Sequence, residues 1–153
     1  MEESRDYLIE RLPGQGKLDE LKELLEPNYT QEEINIALVN ALAYSQIEIA
    51  EYLISLGADM SHWDYDGVYY AVHNNEIEGL KFSIEHGVNV NINNGQLLNT
   101  SIITAYNEKD TSILKWLLEN DADTSLIENK TLKAFGTVEI NKLINNAKKE
   151  WVI

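Results

Sequence analysis

The sequence predicts an all-α fold, a solenoid of stacked antiparallel helix pairs in a single domain over residues 1–153. The first observation is a pattern of apolar residues at helical spacing that occurs three times. It covers residues 45–61, 75–91 and 109–125. The second is that each copy stops at a residue suited to the left-handed conformation that ends many helices. These stops are Gly57, Gly87 and Asp121. They lie 30 and 34 residues apart, within the range of about 20–50 residues typical of repeat proteins.

A shorter helix is predicted before each of these copies. The shorter helices cover residues 34–44, 66–74 and 97–107. When the copies are aligned, Ala41, Ala71 and Ala105 occupy equivalent positions. Because the distance between two packed helices depends on the side chains at their contact, a shared alanine favours closely packed pairs.

Two short motifs resemble those of the ankyrin-repeat family. Thr100–Ala105 corresponds to the family pattern T-P-L-H-x-A, and Gly57–Ser61 and Gly87–Asn91 correspond to the pattern G-A-D-V-N. The period of the family is about 33 residues, whereas tetratricopeptide repeats require a different pattern of about 34 residues and armadillo-like repeats exceed 40. The resemblance implies short polar finger loops between the helix pairs. The 30-residue spacing implies a connection after Gly57 that is about three residues shorter than usual.

Both ends of the chain are predicted to be atypical helix pairs that cap the stack. At the N-terminus, residues 4–12 form a helix broken by Pro13-Gly14, and residues 16–25 form its partner. Thr30 and Glu33 make a capping-box signature that opens the next helix. At the C-terminus, helices are predicted over Thr131–Phe135 and Thr137–Lys149. The resulting division is a cap over 1–29, repeats over 30–61, 62–91 and 92–125, and a cap over 126–153.

The charge of the chain argues against nucleic acid and anionic membranes as partners. The chain has 26 acidic and 12 basic side chains and a net charge of −14, whereas phosphate contacts need cations. Residues 1–76 alone carry 16 acids and 4 bases, and no Lys or Arg lies between Lys22 and Lys81. Two interpretations stay open: an acidic surface that only aids solubility, or one that steers a basic protein partner.

The location predicted for the protein is the cytoplasm. The N-terminal residues lack the basic start and apolar core of a signal peptide, and no apolar run approaches the roughly 20 residues of a membrane span. The chain has no cysteine, which excludes disulfides and thiolate chemistry.

No catalytic motif is found in the sequence, and we expect no enzymatic activity, no cofactor and no metal. There is no phosphate-binding glycine loop, H-E-x-x-H or G-x-S-x-G. His86, just before Gly87, is expected to bind the carbonyls at a helix C-terminus. His62, Asp64, Asp66 and His73 match no known ligand spacing, so a metal site is not predicted.

The resemblance implies that a partner binds to the groove of the first helices and to the fingers at 62–67 and 92–96. The groove positions include Ala43 and the residues that follow the shared alanines. The predicted protein-binding residues are Tyr44, His62, Trp63, Asp64, Tyr65, Asp66, Tyr70, His73, Asn74, Asn93, Asn94, Asn107 and Glu108.

Aromatic residues make the first finger the strongest candidate, since Trp and Tyr are enriched at binding hot spots. Trp63 has an alternative role as local core beneath the finger, and the sequence leaves both open. Trp116 lies in an apolar stripe and is predicted to be core, and Trp151 is predicted to seal the last helix pair.

The function predicted from these features is binding of one protein partner by a monomer, and we expect the partner to have a basic surface. Its most specific form is a bacterial immunity or antitoxin-type inhibitor of a basic toxin. The alternative is a scaffold, targeting or effector protein with several weaker partners.

Overall fold

A computed structural model of the protein describes residues 3–151, with side chains for residues 3–148. This part of the chain forms ten α-helices and one short 3-10 turn. They are α1 (Arg5–Gly14), α2 (Leu18–Leu25), α3 (Gln31–Ala43), α4 (Ile47–Ser55), α5 (His62–His73), α6 (Ile77–Glu85), α7 (Ile92–Glu108), α8 (Ser112–Glu119), the 3-10 turn (Thr124–Leu126), α9 (Asn129–Phe135) and α10 (Val138–Trp151). The all-α class is confirmed.

Two compact units divide the helices, one up to His86 and one from Gly87 onward. We call them the acidic unit and the C-terminal unit, because residues 1–86 hold 18 acidic and 5 basic side chains, whereas residues 87–153 hold 8 and 7. The net charges are therefore −13 and −1. The single domain predicted over the whole chain stays a prediction.

In the acidic unit, helices pack in two layers. Helix α3 packs against both α1 and α5, and α2, α4 and α6 each pack against the helix that precedes them. The two layers meet at apolar side chains that are almost completely buried. These include Leu21, Leu25, Leu38, Leu42 and Leu53. Ala41 and Ala71 are also fully buried, as expected for positions where helices approach closely. Gly79 marks the closest approach, because a Cβ there would lie 2.2 Å from the carbonyl oxygen of Leu42.

In the C-terminal unit, α7 packs against α8, α9 and the 3-10 turn, and α10 packs against α8. Leu97, Leu98 and Leu114 are fully buried there. Asn99 is buried as well, and its side chain bonds the backbone on both sides of Ile127. Its Oδ1 accepts from Glu128 N at 2.8 Å and its Nδ2 donates to Leu126 O at 3.0 Å, which satisfies a polar group inside the unit.

The predicted helix ends are confirmed. Gly57, Gly87 and Asp121 have φ values of 97°, 95° and 69°. Thr30 Oγ1 accepts from Glu33 N at 3.1 Å, and Thr30 N donates to Glu33 Oε1 at 3.0 Å, so the capping box is complete. The short and long C-terminal helices are present as α9 and α10.

The two segments predicted as polar finger loops lie at the starts of α5 and α7, and three residues of each have backbone angles that are not those of an α-helix. Their role as fingers stays a prediction. Residues Trp63, Asp64 and Tyr65 have φ values of 51°, 54° and 65°, and Asn93, Asn94 and Gly95 have values of 50°, 57° and 87°. Each triplet is one left-handed turn at the start of a helix. The turn keeps a helical hydrogen bond, from Tyr65 N to Ser61 O in one case and from Gly95 N to Asn91 O in the other.

The connection after Gly57 is not shortened, which corrects an expectation from the sequence. The segments from Gly57 to α5 and from Gly87 to α7 have the same length. The shorter spacing of this repeat comes from its helix instead, since α5 has 12 residues and α7 has 17. The number of residues from the start of the helix to the shared alanine differs between α5 and α7 by close to the 3.6 residues of one turn. Removing about one full turn leaves the same side of the helix facing its neighbours.

Two smaller expectations also need correction. Pro13 lies inside α1, which ends at Gly14; near a helix end, the missing N–H of proline removes only one bond. Trp116 is half-buried and not part of the closed core, consistent with a ring too large to be enclosed easily. His86 is confirmed as a helix cap, with Nδ1 2.8 Å from Phe82 O. The side chain of Trp151 lies outside the described residues.

Candidate functional site

The acidic unit carries an open groove of about 410 Å³ on its α1, α3 and α5 layer. We call it the aromatic groove. It is lined by Glu10 of α1, by Ile36, Val39, Asn40, Ala43 and Tyr44 of α3 and its C-cap, and by Trp63, Tyr70, His73 and Asn74 of α5 and its C-cap. All lining residues come from one layer of the unit.

The spacing of residues along α3 explains how this helix forms both core and groove floor. Ile36, Asn40 and Ala43 recur at helical spacing on the groove side. Leu38 and Leu42 recur on the other side and are buried in the core. Helix α3 is therefore apolar around most of its circumference, as expected for a helix packed against four neighbours, α1, α4, α5 and α6.

Helix α5 supplies one wall of the groove. Tyr70, His73 and Asn74 share a face at spacings of three and four residues. The rings of Tyr70 and His73 meet edge to face at 6.3 Å, and the ring of Tyr69 stacks on His73 at 5.9 Å. These contacts hold the wall in place with aromatic rings on its surface.

Trp63 lies in the left-handed turn that opens α5 and is 51% exposed. Its ring contacts the imidazole of His62, with centroids 4.6 Å apart. The structure places Trp63 at the groove with half of its surface exposed, so it is not enclosed as local core. Its role in binding a partner stays a prediction.

Tyr44 is positioned by its neighbours on α1 and α5. A Cβ on Gly14 would lie 2.9 Å from Cδ2 of Tyr44, so the tyrosine ring rests directly on the glycine. Beside it, Asn74 Nδ2 donates to Ala43 O at 3.0 Å and ties the end of α5 to the end of α3. The ring itself stays 51% exposed.

Aromatic exposure is concentrated at this groove. Among the described side chains, six Tyr and Trp residues are more than 40% exposed. They are Tyr7, Tyr29, Tyr44, Trp63, Tyr70 and Tyr106. Three of the six line the groove. They are Tyr44 at the C-cap of α3, Trp63 in the left-handed turn of α5, and Tyr70 further along α5.

A second, acidic pocket of about 400 Å³ adjoins the groove and shares Glu10 and Ile36 with it. Its carboxylates are those of Asp6, Glu10, Glu32 and Glu33. Among the described side chains, Glu33 alone of these four has an ion pair, in which Arg5 Nε donates to Oε2 at 2.6 Å. This hydrogen bond from Arg5 holds the pKa of Glu33 below its usual range, and the bonds from Thr30 add to the effect. Arg5 also donates to Asn28 O at 2.9 Å, so it ties α1 to the loop before α3.

The structure brings together five of the predicted binding residues and leaves the others outside the groove. Tyr44, Trp63, Tyr70, His73 and Asn74 line it. His62 contacts it only through Trp63, Tyr65 and Asp66 are half-buried, and Asp64 is exposed. Asn93, Asn94, Asn107 and Glu108 belong to the C-terminal unit, where all four are exposed.

Sequence reasoning missed four residues of the groove, namely Glu10, Ile36, Val39 and Asn40. The signal for the last three was present, since they precede Ala43 and Tyr44 on one helical face. Glu10 had no such signal, because its place depends on how α1 packs against α3.

Within residues 3–148, no three His, Asp or Glu side chains are grouped so that they could hold a metal ion. None of the helices in the described part of the chain is long and apolar enough to cross a membrane. No protein-family model matches the chain, and no curated protein matches it.

Proposed function

We propose that this chain is a protein-binding protein of the ankyrin type, and that it binds a partner with a basic surface through the aromatic groove. The observation that carries the proposal is the cluster of three half-exposed aromatic rings around one groove of the acidic unit. Helix pairs with left-handed stops and a shared buried alanine support the ankyrin type.

Exposed aromatic rings favour binding because their burial releases much free energy at little cost in side-chain entropy. Tyr44 and Trp63 each keep about half of their surface in water, and Tyr70 keeps 41%. Trp and Tyr are enriched at the hot spots of protein interfaces, where single truncations cost about 2 kcal/mol or more.

The charge of the acidic unit supports a basic partner. A net charge of −13 over residues 1–86 attracts a cationic protein over distances up to the Debye length, about 8 Å at physiological salt. Such attraction raises the association rate and is weakened by salt.

Salt dependence also separates the two forms of the function. An immunity or antitoxin-type inhibitor binds one toxin tightly, and its association rate falls steeply as salt is raised. A scaffold or effector protein binds several partners more weakly and with less dependence on salt.

The proposal is tested by capture and titration with variants of one tyrosine. The tagged chain is used as bait in a lysate of its native cell at low and high salt, and the captured protein is then titrated by calorimetry. Tyr44→Ala is expected to raise the dissociation constant about 10- to 30-fold, as for a hot spot. Tyr29→Ala is the matched control, because Tyr29 is 41% exposed in the same unit but does not line the groove.

Gly14→Ala tests the same groove with every aromatic ring retained. The added methyl group lies 2.9 Å from the Tyr44 ring and displaces it, so binding falls while the melting temperature of the free protein changes little. Equal losses in Tyr44→Ala and Tyr29→Ala, or none in either, would show that the partner binds elsewhere.

A further inference from the structure

Three polar side chains of the aromatic groove, those of Glu10, Asn40 and Asn74, offer hydrogen-bond acceptors beside its aromatic rings. Asn40 Nδ2 donates to Ile36 O and Asn74 Nδ2 donates to Ala43 O, each at 3.0 Å. An amide that donates in this way contributes its carbonyl oxygen as its acceptor atom. Glu10 adds a carboxylate, and none of the Lys or Arg side chains described by the structure lines the groove.

The aromatic rings of the groove favour a cation as well. The faces of Tyr and Trp rings carry negative potential and attract ammonium and guanidinium groups, with an energy of about 0.5–1 kcal/mol at exposed sites. Tyr44, Trp63 and Tyr70 all keep ring surface exposed at the groove. Acceptors, ring faces and a strongly negative unit thus favour the same class of occupant.

We propose that the aromatic groove holds an arginine side chain of the partner. The guanidinium group lies against the aromatic rings and donates to the carboxylate of Glu10 and to the amide oxygens of Asn40 and Asn74. This inference rests on the proposed function, since it names the group by which the partner is recognised.

Arginine fits this groove better than lysine or an apolar side chain. The guanidinium group is planar, stacks on aromatic rings and has five N–H donors, whereas the ammonium group of lysine is compact, more strongly hydrated and has three. An apolar anchor would cover the acceptors of Glu10, Asn40 and Asn74 without giving them donors, which costs free energy.

Small compounds test the inference without knowledge of the partner. Isotope-labelled protein is titrated in the NMR spectrometer with N-acetylarginine amide, with the uncharged isostere N-acetylcitrulline amide, and with N-acetylleucine amide. The arginine compound is expected to shift the indole N–H of Trp63 and the backbone amides of Tyr44 and Asn74. The citrulline and leucine compounds are expected to leave them in place.

Two charge variants separate the groove from the general field of the acidic unit. Glu10→Gln removes the carboxylate of the groove, and Glu51→Gln removes an exposed carboxylate of α4 that does not line it. Both change the net charge equally. The arginine compound should bind Glu51→Gln within twofold of the native chain and Glu10→Gln about fivefold more weakly.

Several outcomes would overturn the inference. Equal shifts from arginine and citrulline, equal weakening in the two variants, or no shift at these positions would each exclude recognition of arginine in the groove. If the leucine compound alone shifts the groove signals, the anchor is apolar, and the proposed function stands without this inference. Failure of the proposed function would be seen in a different experiment, since Tyr44→Ala would then not weaken the binding of any captured partner.

Discussion

The left-handed turns at the starts of α5 and α7 have nearly the same backbone and very different sequences. The turn in the C-terminal unit consists of Asn93, Asn94 and Gly95, and that in the acidic unit consists of Trp63, Asp64 and Tyr65. Asparagine and glycine enter the left-handed region readily, whereas most other residues pay about 1–2 kcal/mol for it. The left-handed turn therefore costs more conformational free energy in the acidic unit than in the C-terminal unit.

This difference indicates that the two turns are under different constraints. In the C-terminal unit, the turn serves packing, because Gly95 is buried against Leu126. In the acidic unit, the turn carries the exposed indole of Trp63 to the aromatic groove. Backbone strain that persists in a folded protein is concentrated at functional sites, so the strain at this turn supports the proposed role of the aromatic groove.

The largest expected effect comes from Gly95→Ala, which breaks the turn in the C-terminal unit. The φ of Gly95 is 87°, and an added Cβ would lie 2.6 Å from Cβ of Leu126, so strain and overpacking act together. We expect the free energy of unfolding to fall by about 2–3 kcal/mol, as measured by urea denaturation. Hydrogen exchange should rise in α7 and α9. Tyr65→Ala, at the same position of the other turn, should cost less; the reverse order would contradict the comparison.

A smaller expected effect is a difference between the two units in how their stability depends on pH. The bond from Arg5 lowers the pKa of Glu33, so its contribution to stability is complete above the ordinary glutamate range near pH 4.3 and is lost as pH falls through the lower, folded pKa. Glu33→Gln should destabilise the protein by about 1 kcal/mol at pH 6, since Arg5 is about a third exposed and its bond is partly screened. Near pH 2–3 the difference from the native chain should shrink.

The matched control is Asp123→Asn in the C-terminal unit. The hydrogen bonds from Ser125 lower the pKa of Asp123, but this half-buried carboxylate has no arginine partner among the described side chains. Denaturation curves at pH 3, 4.5 and 6 should therefore show a smaller dependence on pH for this variant. A larger one would contradict the role given to Arg5.

The smallest effect on stability comes from exchanging the first residues of the two turns. Trp63→Asn relieves the backbone at φ 51° and should stabilise the free protein by about 0.5 kcal/mol, while partner binding is lost. Asn93→Trp should destabilise it by a similar amount. Thermal denaturation and calorimetric binding measure both. If Trp63→Asn lowers stability, the indole holds the unit together and the turn is not strained for function.

Local signals in the sequence predicted most of the fold. The left-handed stops, the capping box of Thr30 and Glu33 and the helix pairs depend on short-range spacing, and the structure has each of them. The turn at Trp63 could not be predicted, because a tryptophan in that conformation goes against local preference. From the sequence, the shorter spacing of this repeat was assigned to a loop, because a count of residues cannot distinguish a short loop from a helix that is one turn shorter before Ala71.

Part of the groove was also predicted from local signals in the sequence. Tyr44, His73 and Asn74 follow the shared alanines along the chain, so aligning the copies was sufficient to find them. Glu10 comes from a different helix, and only packing places it opposite α5. Trp63 and Tyr65 show the limit most clearly, since both were predicted as binding residues of the first finger, but Tyr65 is half-buried whereas Trp63 is exposed.

The position of Trp63 gives this protein an optical probe at its own candidate binding surface. The chain has three tryptophans, so replacing Trp116 and Trp151 with phenylalanine leaves one indole to emit. Because that indole is about half in water, its fluorescence is expected to shift to shorter wavelength when another molecule covers it. Occupancy of the groove could then be followed in real time without attaching a dye.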